Sequence, residues 1–116
     1  MGGLADALEA LGRDEEALSA LDKAIALRSD YVGALLNSIA LLRKMRRLEA
    51  AAANSRRLLE LEPENFLAHG TLGISLHAGG QLSEAETKYR LALAFNPDYS
   101  EAKTNLAVVL RTMPHS

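Results

Sequence analysis

The chain has 116 residues, about the size of one domain, and its net charge is −2 from 13 basic and 15 acidic residues. Because general nucleic-acid or anionic-membrane binders are normally basic, this balance argues against both classes, and we expect no nucleic-acid partner. No apolar stretch approaches the roughly 20 residues that span a bilayer, and no signal peptide is visible, so we expect no membrane insertion and a cytoplasmic location.

The helix formers Ala and Leu make up most of the apolar content, whereas Thr, Val and Ile are sparse, so the sequence predicts an all-α fold. Gly12 and the Gly79-Gly80 pair are expected to break the chain within helix pairs, because glycine permits positive φ. Pro63 and Pro97 are expected to end helices between pairs. We therefore predict helices near residues 2–11, 14–28, 31–45, 48–61, 65–78, 82–95 and 99–112.

One tripeptide position recurs along the chain at a spacing of 34 residues, and it reads Ser29-Asp30-Tyr31, Pro63-Glu64-Asn65 and Pro97-Asp98-Tyr99. An ungapped period of this length is typical of stacked helical pairs. Such stacks bury a continuous core between neighbouring pairs and offer an extended surface for binding other proteins. The period therefore predicts a protein-interaction module or scaffold.

Small and large apolar residues also repeat at this period. Two helices cross closely only where side chains are small, so recurring alanines predict crossing points and recurring leucines predict the filling between helices. The alanines are Ala17, Ala51 and Ala85, and the leucines are Leu8, Leu42, Leu76 and Leu110.

The third copy carries the most complete pattern, with Leu72-Gly73 and Leu76, then Gly80, then Ala85, Tyr89, Ala92 and Pro97. This pattern resembles the tetratricopeptide repeat (TPR), with His69 in place of the family's usual first-helix aromatic residue. The resemblance implies a single TPR domain over residues 1–116, a right-handed superhelical solenoid of about three helix pairs. Its repeats are expected at approximately 1–31, 32–65 and 66–99, followed by a terminal helix over 100–112.

In TPR proteins the first helices of successive pairs line a concave groove. The resemblance therefore implies a protein or peptide partner, bound here by an apolar trough with a few amides and hydroxyls and a basic rim. The expected lining residues are Leu36, Asn37, Ala40, Arg43, Lys44, Leu67, Gly70, Thr71, Ile74, His77, Glu101, Thr104, Asn105, Val108 and Arg111.

Two variants of the family can be compared with these residues. The clamp that grips the C-terminal carboxylates of chaperones needs Lys, Arg or Asn at positions that read Gly2, Asp6, Asn37, Leu67 and Thr71 here, and only Asn37 fits. Asn37 and Asn105 are similar to the asparagine ladder in the TPR arm of O-linked N-acetylglucosamine transferases, with Thr71 and Gly3 interrupting it. That similarity implies an alternative role as the non-catalytic, substrate-recruiting arm of a larger transferase.

The last predicted helix carries an apolar side with no partner later in the chain. This side predicts either a piece of a longer array or self-association into a homo-oligomer, and the alternative is a capping helix that packs entirely on the preceding pair. The residues concerned are Leu106, Val109, Leu110 and Met113.

No catalytic constellation is visible in the sequence, so we expect a non-enzyme that needs no cofactor. Cysteine is absent, which excludes disulfides and thiolate metal sites. His69 and His77 are eight residues apart, too far for a joint grip on a metal at i,i+4 spacing, so no metal site is expected. The run from Arg43 to Arg47 indicates either an anion site at the groove edge or favourable charge at a helix C-terminus.

Overall fold

A computed structural model describes residues 3–114, with the side chains from residue 10 onward except that of residue 11. The described residues form six helices and no strand: α1 (Gly3–Leu27), α2 (Val32–Lys44), α3 (Leu48–Leu61), α4 (Phe66–Ala78), α5 (Leu82–Phe95) and α6 (Ser100–Thr112). Each helix packs on the next along the chain, and α4 also contacts α6. The all-α helical repeat fold predicted from the sequence is confirmed.

From residue 31 onward, the five predicted helices agree with the observed bounds to within one residue. The turns inside the second and third pairs close in the same way, because a backbone N–H bonds the carbonyl five residues earlier at 2.8 and 2.9 Å. This closure needs positive φ, which Gly80 adopts at 80° and Arg46 at 62°. Arg46 thus adopts, at the same point of the second repeat, the conformation that glycine supplies in the third.

The first pair differs from the prediction, because α1 is one continuous helix instead of two helices over 2–11 and 14–28. The expected break at Gly12 is therefore wrong. In the third pair, Leu82 lies two positions after the turn residue and packs against the core, which anchors the returning helix. The corresponding residue in α1 is Asp14, whose carboxylate cannot anchor a turn on an apolar surface.

The unbroken α1 changes the packing of the first repeated alanine. Ala51 and Ala85 are fully buried, as expected at crossings between helices. Ala17 is exposed, so its predicted crossing is wrong, because α1 continues through this position as one helix. Among the described side chains of α1, Leu18 and Ile25 are buried in the core, where they pack with α2.

The turn between α3 and α4 is fixed by two polar contacts. Asn65 Oδ1 accepts a hydrogen bond from the backbone N–H of Ala68 at 3.0 Å and so caps α4. His69 is 7% exposed, donates from Nε2 to the carbonyl of Pro63 at 2.9 Å and stacks on Phe95 with ring centroids 5.6 Å apart. His69 is therefore a packing residue, as the sequence predicted.

The largest core cluster joins α5 to α6 and depends on one close approach. Its buried centre contains Tyr89 and Val109. Gly73 on α4 makes room for the Tyr89 ring, because a Cβ at this position would lie 2.5 Å from Tyr89 Cε1. A side chain larger than hydrogen would push the ring out of its place, so the Leu72-Gly73 pattern follows from packing.

Helix α6 buries most of its apolar side. Val109 is fully buried, and Leu106 and Met113 pack against the same cluster. Of the four residues predicted for self-association, Leu110 is the exposed one, at 40%. The other three pack against the cluster that α6 shares with α5, so most of this side packs on the preceding pair, while self-association through this helix stays a prediction.

Candidate functional site

Seven of the fifteen predicted groove residues surround one cleft of about 570 Å³ where α2, α4 and α6 come together. The seven are Ala40, Arg43, Lys44, Ile74, His77, Glu101 and Asn105. Arg46, Leu48 and Tyr89, which the sequence did not assign to the groove, complete the lining. We call this space the central cleft.

The other eight predicted residues lie away from the central cleft. Leu36 and Val108 are half-buried, whereas Asn37, Leu67, Thr104 and Arg111 are exposed. Gly70 and Thr71 are buried and do not line the central cleft. The ring of Tyr99 covers Gly70, and a Cβ there would lie 2.9 Å from Tyr99 Cε2. Of the residues compared with the clamp, Gly2 lies outside the described part of the chain.

An ion pair connects two walls of the central cleft. Arg43 on α2 donates from Nη2 to Glu101 Oε2 on α6 at 2.5 Å. The hydroxyl of Tyr99 donates to the other carboxylate oxygen at 2.5 Å. Burial raises the pKa of Glu101, but the hydrogen bonds from Arg43 and Tyr99 outweigh burial and hold that pKa below its ordinary value. Glu101 is therefore ionised at neutral pH, and both of its oxygens have a donor.

Tyr89 on α5 brings a second polar group to the central cleft. The residue is 1% exposed, and its hydroxyl has no hydrogen-bond partner among the described residues. Burial is the main cause that raises the pKa of Tyr89 to about 12, and the charge of Glu101 raises it further while Arg43 opposes. The phenol is therefore a neutral, buried donor close to the charges of the ion pair.

The rest of the lining mixes apolar surface with hydrogen-bonding groups. Ile74 and Leu48 are half-buried and apolar, and Ile74 also packs against the main core cluster. His77 meets the edge of the Tyr89 ring, with centroids 6.5 Å apart and the planes at 81°. Asn105 contributes an amide that can donate and accept. The cleft can therefore bury small apolar groups while it hydrogen-bonds their polar neighbours.

Two family models described as tetratricopeptide repeat match the sequence, one over residues 39–100 and one over residues 1–31. The first alone covers more than half of the chain. The chain belongs to the tetratricopeptide repeat family. A relative among characterised proteins is the mouse "Anaphase-promoting complex subunit 7", 36% identical over 84 residues, or 72% of this chain and 15% of that protein. This TPR chain therefore spans a small part of that relative's length.

Solved TPR structures share the fold at low sequence identity. The crystal structure of MamA is 20% identical with a TM-score of 0.81, and the match covers 95% of this chain and 64% of that chain. The Arabidopsis OM64 TPR domain is 18% identical with a TM-score of 0.79, covering 93% and 89%. The first TPR of Spaghetti (RPAP3) bound to the HSP90 peptide SRMEEVD is 18% identical with a TM-score of 0.78, covering 91% and 84%. These likenesses establish the fold of the TPR chain.

The basic run of the second TPR repeat is largely neutralised by carboxylates from other helices. Lys44 pairs with Asp14 on α1 at 3.3 Å, and Arg47 pairs with Glu15 on α1. Together with the pair between Arg43 and Glu101, these contacts tie the turn after α2 to both α1 and α6. The run lies at the C-terminus of α2, where positive charge is favourable, and three of its residues line the central cleft, while an anion site there stays a prediction.

The described part of this TPR chain contains no cluster of three or more His, Asp or Glu side chains that could hold a metal ion. The same residues include no helix that is long and apolar enough to cross a membrane. The lining of the central cleft itself offers hydrogen-bond donors, one carboxylate and a basic rim.

Sequence reasoning within the TPR frame found most of the central cleft but missed the hydroxyl of Tyr89. The period aligns Tyr89 with Leu21 and Ser55, and the repeat pattern includes the residue without a role for its hydroxyl. The alignment contained a usable signal, because only the third repeat carries a phenol at this point. The ion pair of Arg43 with Glu101 had no local signal, since the two residues are 58 positions apart.

Proposed function

We propose that the chain is a non-catalytic protein-interaction module that binds a peptide segment of a partner protein in the central cleft. TPR domains are protein-interaction modules, and the family generally acts as scaffolds. The observation that carries the proposal is the lining, in which apolar Ala40 and Ile74 lie beside the donors Arg43 and Asn105. An extended peptide presents the same mixture of side chains and main-chain polar groups.

Two relatives support this class of function. The RPAP3 domain holds an HSP90 peptide in its solved structure, and the mouse relative is named as a subunit of a complex. The partner proposed here differs from that HSP90 peptide in how it would be held, because the clamp residues are absent from this sequence apart from Asn37. The partner is therefore expected to be recognised by the residues of the central cleft.

The test compares two charge insertions at exposed alanines. Ala40 lies in the central cleft, and Ala107 lies on α6 outside it. The wild type, Ala40→Glu and Ala107→Glu are used as baits in native lysate, and captured proteins are identified by mass spectrometry. We expect partners that the wild type and Ala107→Glu retain and that Ala40→Glu loses, because a carboxylate of its own would fill the cleft and repel a ligand. Thermal melting checks that all three baits fold equally.

The contrary outcomes are distinct. Partners retained equally by all three baits would mean that they bind elsewhere on the surface. Capture of only this chain by every bait would favour self-association, and Leu110→Glu would then be expected to abolish it because Leu110 is the exposed large apolar residue of α6. Either result would contradict binding in the central cleft.

A further inference from the structure

Two hydrogen-bond donors of the central cleft differ in whether they have an acceptor. The Arg43 guanidinium has a carboxylate partner, but the partner is the chain's own Glu101 from another repeat. The Tyr89 hydroxyl is buried and has no acceptor among the described residues. A buried hydroxyl without a partner costs stability, so its presence at the wall of a binding cleft calls for an explanation.

In the ion pair between Arg43 and Glu101, another carboxylate can replace Glu101 at little cost in stability. The side chain of Arg43 is 24% exposed and that of Glu101 is 41% exposed, and solvent-accessible ion pairs contribute little net stability. If Glu101 leaves Arg43, its other oxygen keeps the hydrogen bond from Tyr99. The carboxylate also stays in the first turn of α6, where the helix dipole favours negative charge.

We infer that Glu101 occupies the place of a ligand group, and that the side-chain carboxylate of an Asp or Glu in the bound peptide replaces it on Arg43 and accepts the hydrogen bond of Tyr89. This inference rests on the proposed function, since it assumes that a peptide enters the central cleft. Glu101 would then be an internal competitor that sets the affinity of the cleft for acidic peptides.

The charges of the lining favour a carboxylate over a neutral group. Arg43 pairs with Glu101 and Lys44 pairs with Asp14, whereas Arg46 has no ion pair with a described residue, so the lining keeps one unpaired positive charge. A guanidinium binds a carboxylate through planar, charge-assisted hydrogen bonds, which a neutral amide does not match. A phenol that stays neutral can donate to the same anion, and burial keeps Tyr89 in that form.

The experiment begins with a random-peptide library displayed on phage and selected against the wild type and Ala40→Glu. Peptides that bind only the wild type are cleft-dependent, and they are resynthesised with amidated C-termini, each with its acidic residues changed singly to the matching amide. Affinities are measured by fluorescence polarisation for the wild type and for Glu101→Gln, Arg43→Gln and Tyr89→Phe. Glu49→Gln is the matched control, because Glu49 also lies in the first turn of its helix and lies outside the central cleft.

We expect one acidic position in the cleft-dependent peptides whose change to an amide weakens binding. Glu101→Gln should bind the acidic peptide about threefold to tenfold tighter, the range that releasing a partly exposed ion pair allows, and should leave the amide peptide unaffected. Arg43→Gln and Tyr89→Phe should each weaken binding of the acidic peptide, and Glu49→Gln should not change it.

Three results would overturn the inference. Cleft-dependent peptides that tolerate every amide substitution would show that no carboxylate is recognised, while leaving the proposed function intact. Binding that disappears on C-terminal amidation would assign recognition to a terminal carboxylate instead of a side chain. If no selected peptide is lost with Ala40→Glu, the proposed function fails and the inference fails with it.

Discussion

Replacing Tyr89 by phenylalanine should stabilise the protein. The ring would keep its place against Gly73, and the change removes only a hydroxyl that is buried and has no partner among the described residues. Removal of one partner from a buried hydrogen bond normally destabilises a protein. Here the opposite change in stability is expected, because the folded protein already carries the cost of burying an unpaired donor.

The magnitude follows from two opposing contributions. An unsatisfied buried hydroxyl costs ~1–3 kcal/mol, which the substitution recovers. The void left by one oxygen, about 12 Å³, costs ~0.3 kcal/mol at roughly 24 cal/mol per Å³. The net expectation is an increase of ~1–2 kcal/mol in the free energy of unfolding of Tyr89→Phe, or ~4–8 °C in Tm for a chain of this size.

The other two tyrosines provide matched controls. Tyr31 is exposed, so Tyr31→Phe should leave stability nearly unchanged. Tyr99 donates its hydroxyl to Glu101, so Tyr99→Phe should lower the free energy of unfolding by ~1 kcal/mol. Urea denaturation followed by circular dichroism measures all three variants. A loss of ~1 kcal/mol or more in Tyr89→Phe would refute the reasoning, because it would mean that the hydroxyl has a stabilising partner.

The alkaline range gives the same prediction a second check. The pKa of Tyr89 is raised from 10 to about 12 in the folded protein, with burial as the main cause. The stability that this shift provides is fully present below pH 10, and it is lost as the pH rises towards 12 because the unfolded chain ionises first. The stability advantage of Tyr89→Phe over the wild type should therefore widen between pH 10 and 12.

Three further predictions concern single contacts. Gly73→Ala should lower the free energy of unfolding by ~1–3 kcal/mol, because its Cβ would lie 2.5 Å from the Tyr89 ring. Gly12→Ala should raise it by up to ~1 kcal/mol, because Gly12 lies inside the helix α1 and a Cβ there would meet no described atom within 4 Å. Equal effects in urea titrations would contradict both packing assignments. Glu101→Gln should destabilise the protein at neutral pH but not in strong acid. The lowered pKa of Glu101 stabilises the folded protein at pH values above 4.5, the ordinary pKa of this group, and the stabilisation is lost as the pH falls through the folded-state pKa. A difference in stability that does not depend on pH would therefore count against the ion pair. Asn65→Ala should lower Tm by removing the cap of α4, at a cost of ~1 kcal/mol, whereas Asn65→Ser should keep most of it, and identical melting of the two variants would argue against the cap.

The sequence predicted the fold from residue 31 onward because each feature there has a local cause. Pro63 and Pro97 mark the ends of helices, and Gly80 supplies the positive φ at which the third pair turns. The 34-residue period also places Ala51 and Ala85 at buried crossings. These are constraints on backbone geometry and side-chain size, and both are readable from residue type at a fixed spacing.

The prediction failed where a residue that favours a turn lacks the tertiary contacts that would stabilise the turn. Gly12 aligns with Gly80, but two positions later the first pair has Asp14 where the third pair has Leu82. A turn at Gly12 would therefore not be stabilised by an apolar side chain at this position, and the helix continues. A glycine in a helical sequence lowers helix stability by only ~1 kcal/mol, which is too little to force a break. For α6 the sequence left packing on the preceding pair and self-association open, and contacts with α5 cover Leu106, Val109 and Met113 but not Leu110.

The polar network of the central cleft was beyond sequence reasoning for a different reason. Arg43, Tyr89 and Glu101 come from three different repeats, and only the curvature of the stack brings their side chains together. The period specifies which residues are equivalent, but contacts between unequal positions of different repeats depend on the stacking geometry. The individual residues Arg43 and Glu101 were therefore predicted for the groove, while the ion pair between them was not.

The Tyr89 hydroxyl links the stability prediction to the inference about the ligand. If Tyr89→Phe stabilises the free protein and weakens binding of an acidic peptide, the hydroxyl is retained at a cost in stability because a ligand supplies its acceptor. If the same substitution stabilises the protein and leaves peptide affinity unchanged, the hydroxyl is a packing defect, and recognition of the carboxylate depends on Arg43 alone. The acidic peptide should stabilise the wild type more than Tyr89→Phe if the hydroxyl contacts the ligand. Binding to the folded state stabilises a protein, and the stabilisation is larger when the affinity is higher.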